Sequence, residues 1–241
     1  MKINIHAGHN PDGKPASGAV GIIPESTEAR RVKNEVISQL RRMGHTVYDC
    51  TCENGTDQAD VLTKIVTACN SHGVDLDVSI HFNAGTGDTR GNGKTTGVET
   101  YIYSADSNAK PYAEKICSAI AELGFKNRGV KTNAGLYFLR KTKAPAMLIE
   151  CCFVDDKDDV ELYDYKSMAD AIIFGITGQA AQTLQNVTAD PYASAAGAET
   201  TVGTERELYR VQVGAYSVKA NADRMQERLR TLGFDAITVK A

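Results

Sequence analysis

Met1, Ile3, Ile5 and Ala7 alternate with polar residues, and this period of two predicts an opening strand. From Glu25 to Met43 the period changes: Val32, Val36, Ile37, Leu40 and Met43 share one helical face, and Gly44 stops the run. Thr46 to Asp49 reads as a short strand. Asp60 to Cys69 reads as a second helix, with Val61, Leu62, Ile65, Val66 and Cys69 as its apolar set. Leu76 to Phe82 and Val98 to Tyr103 alternate again, and Ser107 to Leu123 is a helix ended by Gly124. Leu136 to Leu139 and Ala146 to Phe153 are strand candidates, the second apolar enough to lie centrally. Asp170 to Thr177 belongs to a last helix. Strands interleaved with helices predict an α/β fold over residues 1–178, a three-layer domain with a mixed, largely parallel sheet flanked by helices.

The pattern breaks after Gly178. Residues 179–204 are rich in Ala, Thr, Gly and Ser, contain Asp190-Pro191, and sustain no apolar period, which is the composition of a linker. Residues 205–241 then read as a small β-α-β unit: strand-like Leu208 to Tyr216, a helix around Asn221 to Leu232, and strand-like Ala236 to Val239.

Composition narrows the classes. With 42% hydrophobic and 24% charged residues over 241 positions, the chain is that of a soluble globular protein large enough to bury a substantial core. A formal net charge of −3 gives no support for nucleic-acid binding, and no apolar run has the length needed to cross a bilayer. The first residues lack the apolar core of a signal peptide, so the expectation is a protein made in the cytoplasm without one. Residues 205–241 carry seven Lys or Arg against five Asp or Glu, a mildly basic balance that suits an anionic polymer surface. Cys50, Cys52, Cys69, Cys117, Cys151 and Cys152 sit in apolar segments without zinc-knuckle spacing, and the expectation is buried, reduced thiols.

Candidate chemistry concentrates at strand ends. His9 follows the first strand in Ala7-Gly8-His9-Asn10, and His81 lies near the end of another in Ser79-Ile80-His81-Phe82-Asn83-Ala84. Ligand sites of open α/β sheets gather at the C-terminal ends of strands, so the two histidines can share one site. Imidazoles with one carboxylate form a common catalytic zinc set that leaves a position for water. Glu25 and Glu28 both stand at the start of the first long helix, and either can supply that carboxylate. Glu150 lies in the apolar run Met147-Leu148-Ile149-Glu150-Cys151-Cys152-Phe153, where an ionised carboxylate is costly unless paired or used. Two readings stand side by side for it: a general base of raised pKa, or a strand-edge Glu paired with Lys141 or Lys143. His45 and His72 read as surface residues, and His6 lies within the first strand.

The Gly8-His9 turn, Glu25, Ser79-Ile80-His81-Phe82-Asn83-Ala84, Gly97-Val98-Glu99 and Leu148-Ile149-Glu150-Cys151-Cys152-Phe153 resemble, in order and spacing, the motifs of type-3 N-acetylmuramoyl-L-alanine amidases. The resemblance covers residue 1 to about residue 178. It implies Zn2+ held by His9, Glu25 and His81, with Glu150 catalytic. It also implies a peptidoglycan substrate, cleaved at the amide between N-acetylmuramic acid and L-alanine. The family's carboxylate ligand lies about five turns of helix before the terminating Gly, which favours Glu25 over Glu28. Asn83 is expected to support the site by hydrogen bonding, and Glu99 to be an outward-facing strand residue.

Tyr209-Arg210-Val211-Gln212-Val213-Gly214-Ala215-Tyr216, with Ala222, Leu229 and Gly233-Phe234, resembles the opening of a SPOR domain, a peptidoglycan-binding family. The unit is about half a full module, too small to bury a core of its own. Pairing of two halves in a homodimer is one route to completing it, a loosely structured half is a second, and a docked appendage without a ligand is a third. The catalytic domain first, the wall-binding unit last and the expected lack of a signal peptide look like a phage endolysin. A bacterial autolysin or sporulation amidase is the near alternative, and a non-catalytic wall-binding protein the more distant one.

Overall fold

In the computed structural model, which describes residues 1–180 and scattered positions between 219 and 239, the N-terminal alternation becomes strand β1 (Lys2–Ala7). Every side chain from Ile3 to Ala7 is buried, polar Asn4 and His6 included, because both faces of the sheet are covered. Strands β2 (Thr46–Asp49), β3 (Leu76–Asn83), β4 (Val98–Ile102), β5 (Asn127–Thr132) and β6 (Ala146–Phe153) complete a six-stranded sheet of order β2-β1-β3-β6-β4-β5. β1 pairs in parallel with β2 and β3, and β3 pairs in parallel with β6. β4 runs antiparallel to β6 and parallel to β5, so the sheet is mixed, as expected.

Helices α1 (Glu25–Arg42), α3 (Lys110–Ala121) and α6 (Tyr165–Thr177) cover one face. Val32, Val36 and Leu40 of α1, Ile116 and Ile120 of α3, and Met168 and Ile172 of α6 close on Ile3, Ile5, Ile80 and Ile149 in one apolar core. The other face carries α2 (Gln58–Asn70) and the short α4 (Tyr137–Lys141), whose Val61, Ile65, Phe138 and Leu139 pack with Cys50, Cys69 and Leu148. The polar residues of β1 find partners on this side. Asn4 donates to the Cys69 carbonyl and to Asp77 Oδ1, and the His6 ring meets Phe138 edge-on at 4.6 Å. All six cysteines are buried and free.

Two elements depart from expectation. The run Leu136 to Leu139 is not a strand; it enters α4, because an apolar run of four fits either period and burial of Phe138 and Leu139 decides it. β5 carries no apolar alternation, since it is a half-exposed edge strand paired only with β4. A sixth helix, α5 (Lys157–Leu162), begins after β6, and Asp156 caps it through the amide of Asp159.

This α5 segment also fastens the Gly-rich loop of residues 84–97. Asp155 accepts from the amides of Gly85 and Gly87, and Asp158 from those of Asn92 and Gly93. Fully buried Asp159 accepts from the amides of Gly97 and Phe153. Asp159→Ala would leave those two donors unpaired, at a cost of about 3 kcal/mol or more. The expected result is a fall in melting temperature of about 10 °C by calorimetry, and a fall under about 2 °C would contradict the assignment.

The chain divides into units Met1–Thr183 and Leu184–Ala241. The linker read over 179–204 lies almost wholly outside the described residues, and so do the strand over Leu208–Tyr216 and most of the Asn221–Leu232 helix. Ala222, Asp223, Met225, Gln226 and Leu229 are helical, while Ile237 to Val239 carry no strand assignment. No helix among the described residues is long and apolar enough to cross a membrane.

Candidate metal centre and active site

The site lies where β1, β3 and β6 end. Just past β1, the chain turns at His9 with φ of 63°, a left-handed conformation uncommon for a residue with a side chain. Arg30 of α1 holds this turn, donating from Nη2 to the His9 and Cys52 carbonyls at 3.0 and 2.9 Å and from Nη1 to that of Ser26 at 3.1 Å. Buried Asn10 locks the following loop by exchanging hydrogen bonds with the Gly55 backbone at 2.7 and 2.8 Å. Neither residue stood out in the sequence, because a side chain that binds distant carbonyls leaves no local pattern.

His81 projects from β3 against the same point. Its ring lies so close to Gly8 that a Cβ there would sit 2.1 Å from His81 Cε1. Gly8→Ala must therefore displace the imidazole. The expected outcome is a 10- to 100-fold loss of zinc affinity, the usual scale for disturbing a ligand's support, measured by competition with a chromophoric chelator. Unchanged affinity would show that His81 binds no metal.

Glu25, the first residue of α1, meets both histidines: Oε1 lies 3.0 Å from His81 Nδ1 and 3.3 Å from His9 Nε2. Oε1 also accepts from the Phe82 amide, and Oε2 from the Ala19 amide at 2.8 Å. Burial opposes ionisation of Glu25, but the hydrogen bonds from His81 and His9 outweigh it and hold the carboxyl well below the usual range. Burial pushes His81 down, against the pull of Glu25, which favours the neutral imidazole that a metal requires. One ligand atom from each of His9, Glu25 and His81 falls within 4.8 Å of the others, the only such cluster found among the described residues. Two imidazoles and a carboxylate converging at strand ends fit the donor set of a catalytic zinc site.

Glu28 goes elsewhere. Its carboxylate accepts from Arg31 at 3.1 Å and from the Tyr163 hydroxyl at 3.0 Å. His6 remains in the core, pushed down to about 3 mainly by burial. His72 is not the surface residue expected: its ring stacks on Tyr48 at 3.9 Å, and Nδ1 lies 3.1 Å from Asn4 Oδ1.

Glu150 occupies β6 in register with His81 on one side and Glu99 on the other. It is no edge residue held by Lys141 or Lys143. β6 lies inside the sheet, and Glu150 Oε2 is buried with no hydrogen-bond partner. Burial first, then the charges of Glu25 and Glu99, push its carboxyl up to about 8.

Glu99 does not face outward. It is 2% exposed and accepts from Arg128 Nε at 2.6 Å, Lys131 Nζ at 2.5 Å, the Tyr101 hydroxyl at 2.8 Å and Asn83 Nδ2 at 2.9 Å. Burial works against its ionisation, and these donors overcome it, bringing the carboxyl down to about 2. Asn83 thus reaches the site through Glu99. Alternation placed Glu99 on a face of β4 but carried no information about the cations of β5 that roof it.

Comparisons with known proteins identify the family and the fold. The family described as N-acetylmuramoyl-L-alanine amidase matches residues 3–178, and the SPOR domain matches residues 205–241. An uncharacterised protein of Clostridium perfringens is 39% identical over 170 residues, covering 69% of this chain and 48% of the relative. The chain thus spans about half the length of the first curated relatives it matches. N-acetylmuramoyl-L-alanine amidase CwlM of Bacillus licheniformis is 33% identical over 244 residues, covering 99% of this chain and 85% of the relative. Among solved structures, the catalytic domain of CD27L endolysin, which targets Clostridium difficile, superposes with a TM-score of 0.66 at 28% identity, covering 75% of this chain and 98% of that one.

Proposed function

Because the chain belongs to the N-acetylmuramoyl-L-alanine amidase family, we propose that it hydrolyses the amide joining N-acetylmuramic acid to L-alanine in peptidoglycan. The observation that carries this reading is Glu150, a buried carboxyl with an unpartnered oxygen, held one strand from the His9–Glu25–His81 cluster. His9, Glu25 and His81 would hold zinc. Bound there, the metal supplies a Lewis acid that polarises a carbonyl and lowers the pKa of water from about 15.7 toward 7.

The chain's own residues do the rest. Glu150, with no donor on Oε2, accepts a proton from the attacking water and delivers it to the departing amine. A carboxyl of raised pKa suits both halves of that exchange. Glu25 keeps its negative charge between the two imidazoles, and Arg30 holds the His9 turn so that the ring stays in place. Mass spectrometry of wall digests tests the reaction. New L-alanine amino termini are expected, and new reducing sugars would overturn it.

The proposed organisation is a catalytic domain over 1–178, a linker over 179–204 and a SPOR half-module over 205–241 that binds the wall and raises the local substrate concentration. Two halves from two chains complete the module in a homodimer. Light scattering should give twice the mass of one chain, and a monomer would sink the dimer.

The endolysin reading is supported by the near-complete coverage of the CD27L catalytic domain, and action is then on the cell wall after release from the cytoplasm. A bacterial wall amidase is favoured instead by the CwlM alignment, which runs through 99% of the chain. Expression in a host cytoplasm separates the two. Lysis only after the membrane is permeabilised supports the endolysin, and export of the chain by growing cells supports the autolysin.

A further inference from the structure

Beside the catalytic residues lies a second feature that hydrolysis itself does not use. An open groove of about 350 Å³ is lined by Asn92, Lys94, Thr95, Thr96, Lys126 and Arg128. Its place follows from strand direction. β4 is antiparallel to β6 and β5 is parallel to β4, so both begin at the sheet edge where β6 ends. Lys94, Thr95 and Thr96 come just before β4, Lys126 immediately precedes β5, and Arg128 is the second residue of β5. The groove therefore opens on the same edge as Glu150, and Arg128 links the two by its hydrogen bond to Glu99.

Three of the six lining residues are cations and none is an acid. The charge of Arg128 is shared with Glu99, but exposed Lys94 and Lys126 form no ion pair among the described residues. Asp158 of α5, whose carboxylate meets the Lys94 backbone, is occupied by the amides of Asn92, Gly93 and Lys94. The hydroxyls of Thr95 and Thr96 are bonded to the Gly124 carbonyl and to Asp156. What the groove offers a ligand is thus positive charge.

Span fixes which part of a substrate reaches it. From β6 to β5 is two strand spacings, about 10 Å. An extended peptide covers that distance in about three residues. We infer that this groove is the subsite for the peptide on the amine side of the scissile bond, and that it takes a free carboxylate carried two to three residues from that bond. The inference rests on the amidase reading for the position of the scissile bond.

The test uses two soluble N-acetylmuramoyl-tripeptides, one with free carboxylates and its twin with every peptide carboxylate converted to carboxamide. Calorimetry with the full zinc-loaded chain carrying Glu150→Gln measures both without turnover. The free acid is expected to bind about fivefold more tightly at low ionic strength, the scale of two exposed charge pairs. The preference should shrink at high salt and disappear when Lys94→Gln and Lys126→Gln are added. Lys94→Glu with Lys126→Glu should make the carboxamide the better ligand. Equal affinities for the two fragments, or a preference untouched by the lysine changes, would overturn the inference. Hydrolysis by the unaltered chain is scored separately: a charge preference without cleavage sinks the amidase reading and keeps only the groove's affinity for carboxylates, while cleavage without a preference upholds the amidase reading and sinks the groove.

Discussion

Glu150→Gln is expected to lower the hydrolytic rate by about 10²- to 10⁴-fold while leaving zinc uptake intact. The carboxamide is nearly isosteric, so β6 keeps its register with His81 and Glu99, but it cannot take a proton from water. The same change carries an opposite effect on stability. In the metal-free chain Glu150 titrates near 8 in the fold against about 4.5 unfolded, so the folded state binds more protons between those values. Stability contributed at this position is therefore present at low pH and lost as pH rises through that window. Gln removes the penalty, and the metal-free variant should melt several degrees above wild type at pH 8 and no higher at pH 4. A thermal scan at the two pH values, beside a turnover assay, checks both halves. A variant that cleaves at the wild-type rate would show that Glu150 is not the base.

The second large effect is expected at Glu25. Zinc at about 100 times its dissociation constant should stabilise the wild-type fold by about 2.7 kcal/mol, a rise of roughly 5 to 10 °C in melting temperature. Glu25→Gln should abolish that rise and the activity with it, because the site then loses the charge that draws two imidazoles together at 3.0 and 3.3 Å. Glu28→Gln provides the contrast. It breaks contacts with Arg31 and Tyr163 and lowers the baseline melting temperature, yet the zinc-dependent rise should remain. Loss of the zinc response in Glu28→Gln alone would exchange the two roles. Chelation of the wild type should reproduce the loss of activity, reversed by added zinc.

These expectations come from features of uneven legibility. The long periodic segments Glu25–Arg42 and Ala146–Phe153 were plain in the sequence, since burial on one helical face or on both strand faces writes itself into residue choice. The positions of His9, Glu25 and His81 at the ends of elements were legible too, as was Glu150, a charge in an apolar run. Spacing favoured Glu25 over Glu28 without excluding the latter; in the fold Glu25 turns to His9 and His81 while Glu28 turns to Arg31 and Tyr163. β5 stayed hidden because an edge strand buries little, and with it the role of Glu99, whose partners Arg128 and Lys131 both come from that strand. The Asp155 to Asp159 cluster carries no distinguishing pattern in the sequence. Its function is to bind the amides of a distant loop, which no local period records.

X-ray absorption at the zinc edge of the loaded full-length chain tests the metal centre most directly. The arrangement of His9, Glu25 and His81 predicts one zinc per chain, with nitrogen and oxygen neighbours at about 2.0–2.2 Å and no sulfur. Sulfur scattering at about 2.3 Å would place the metal on the cysteines and contradict the site.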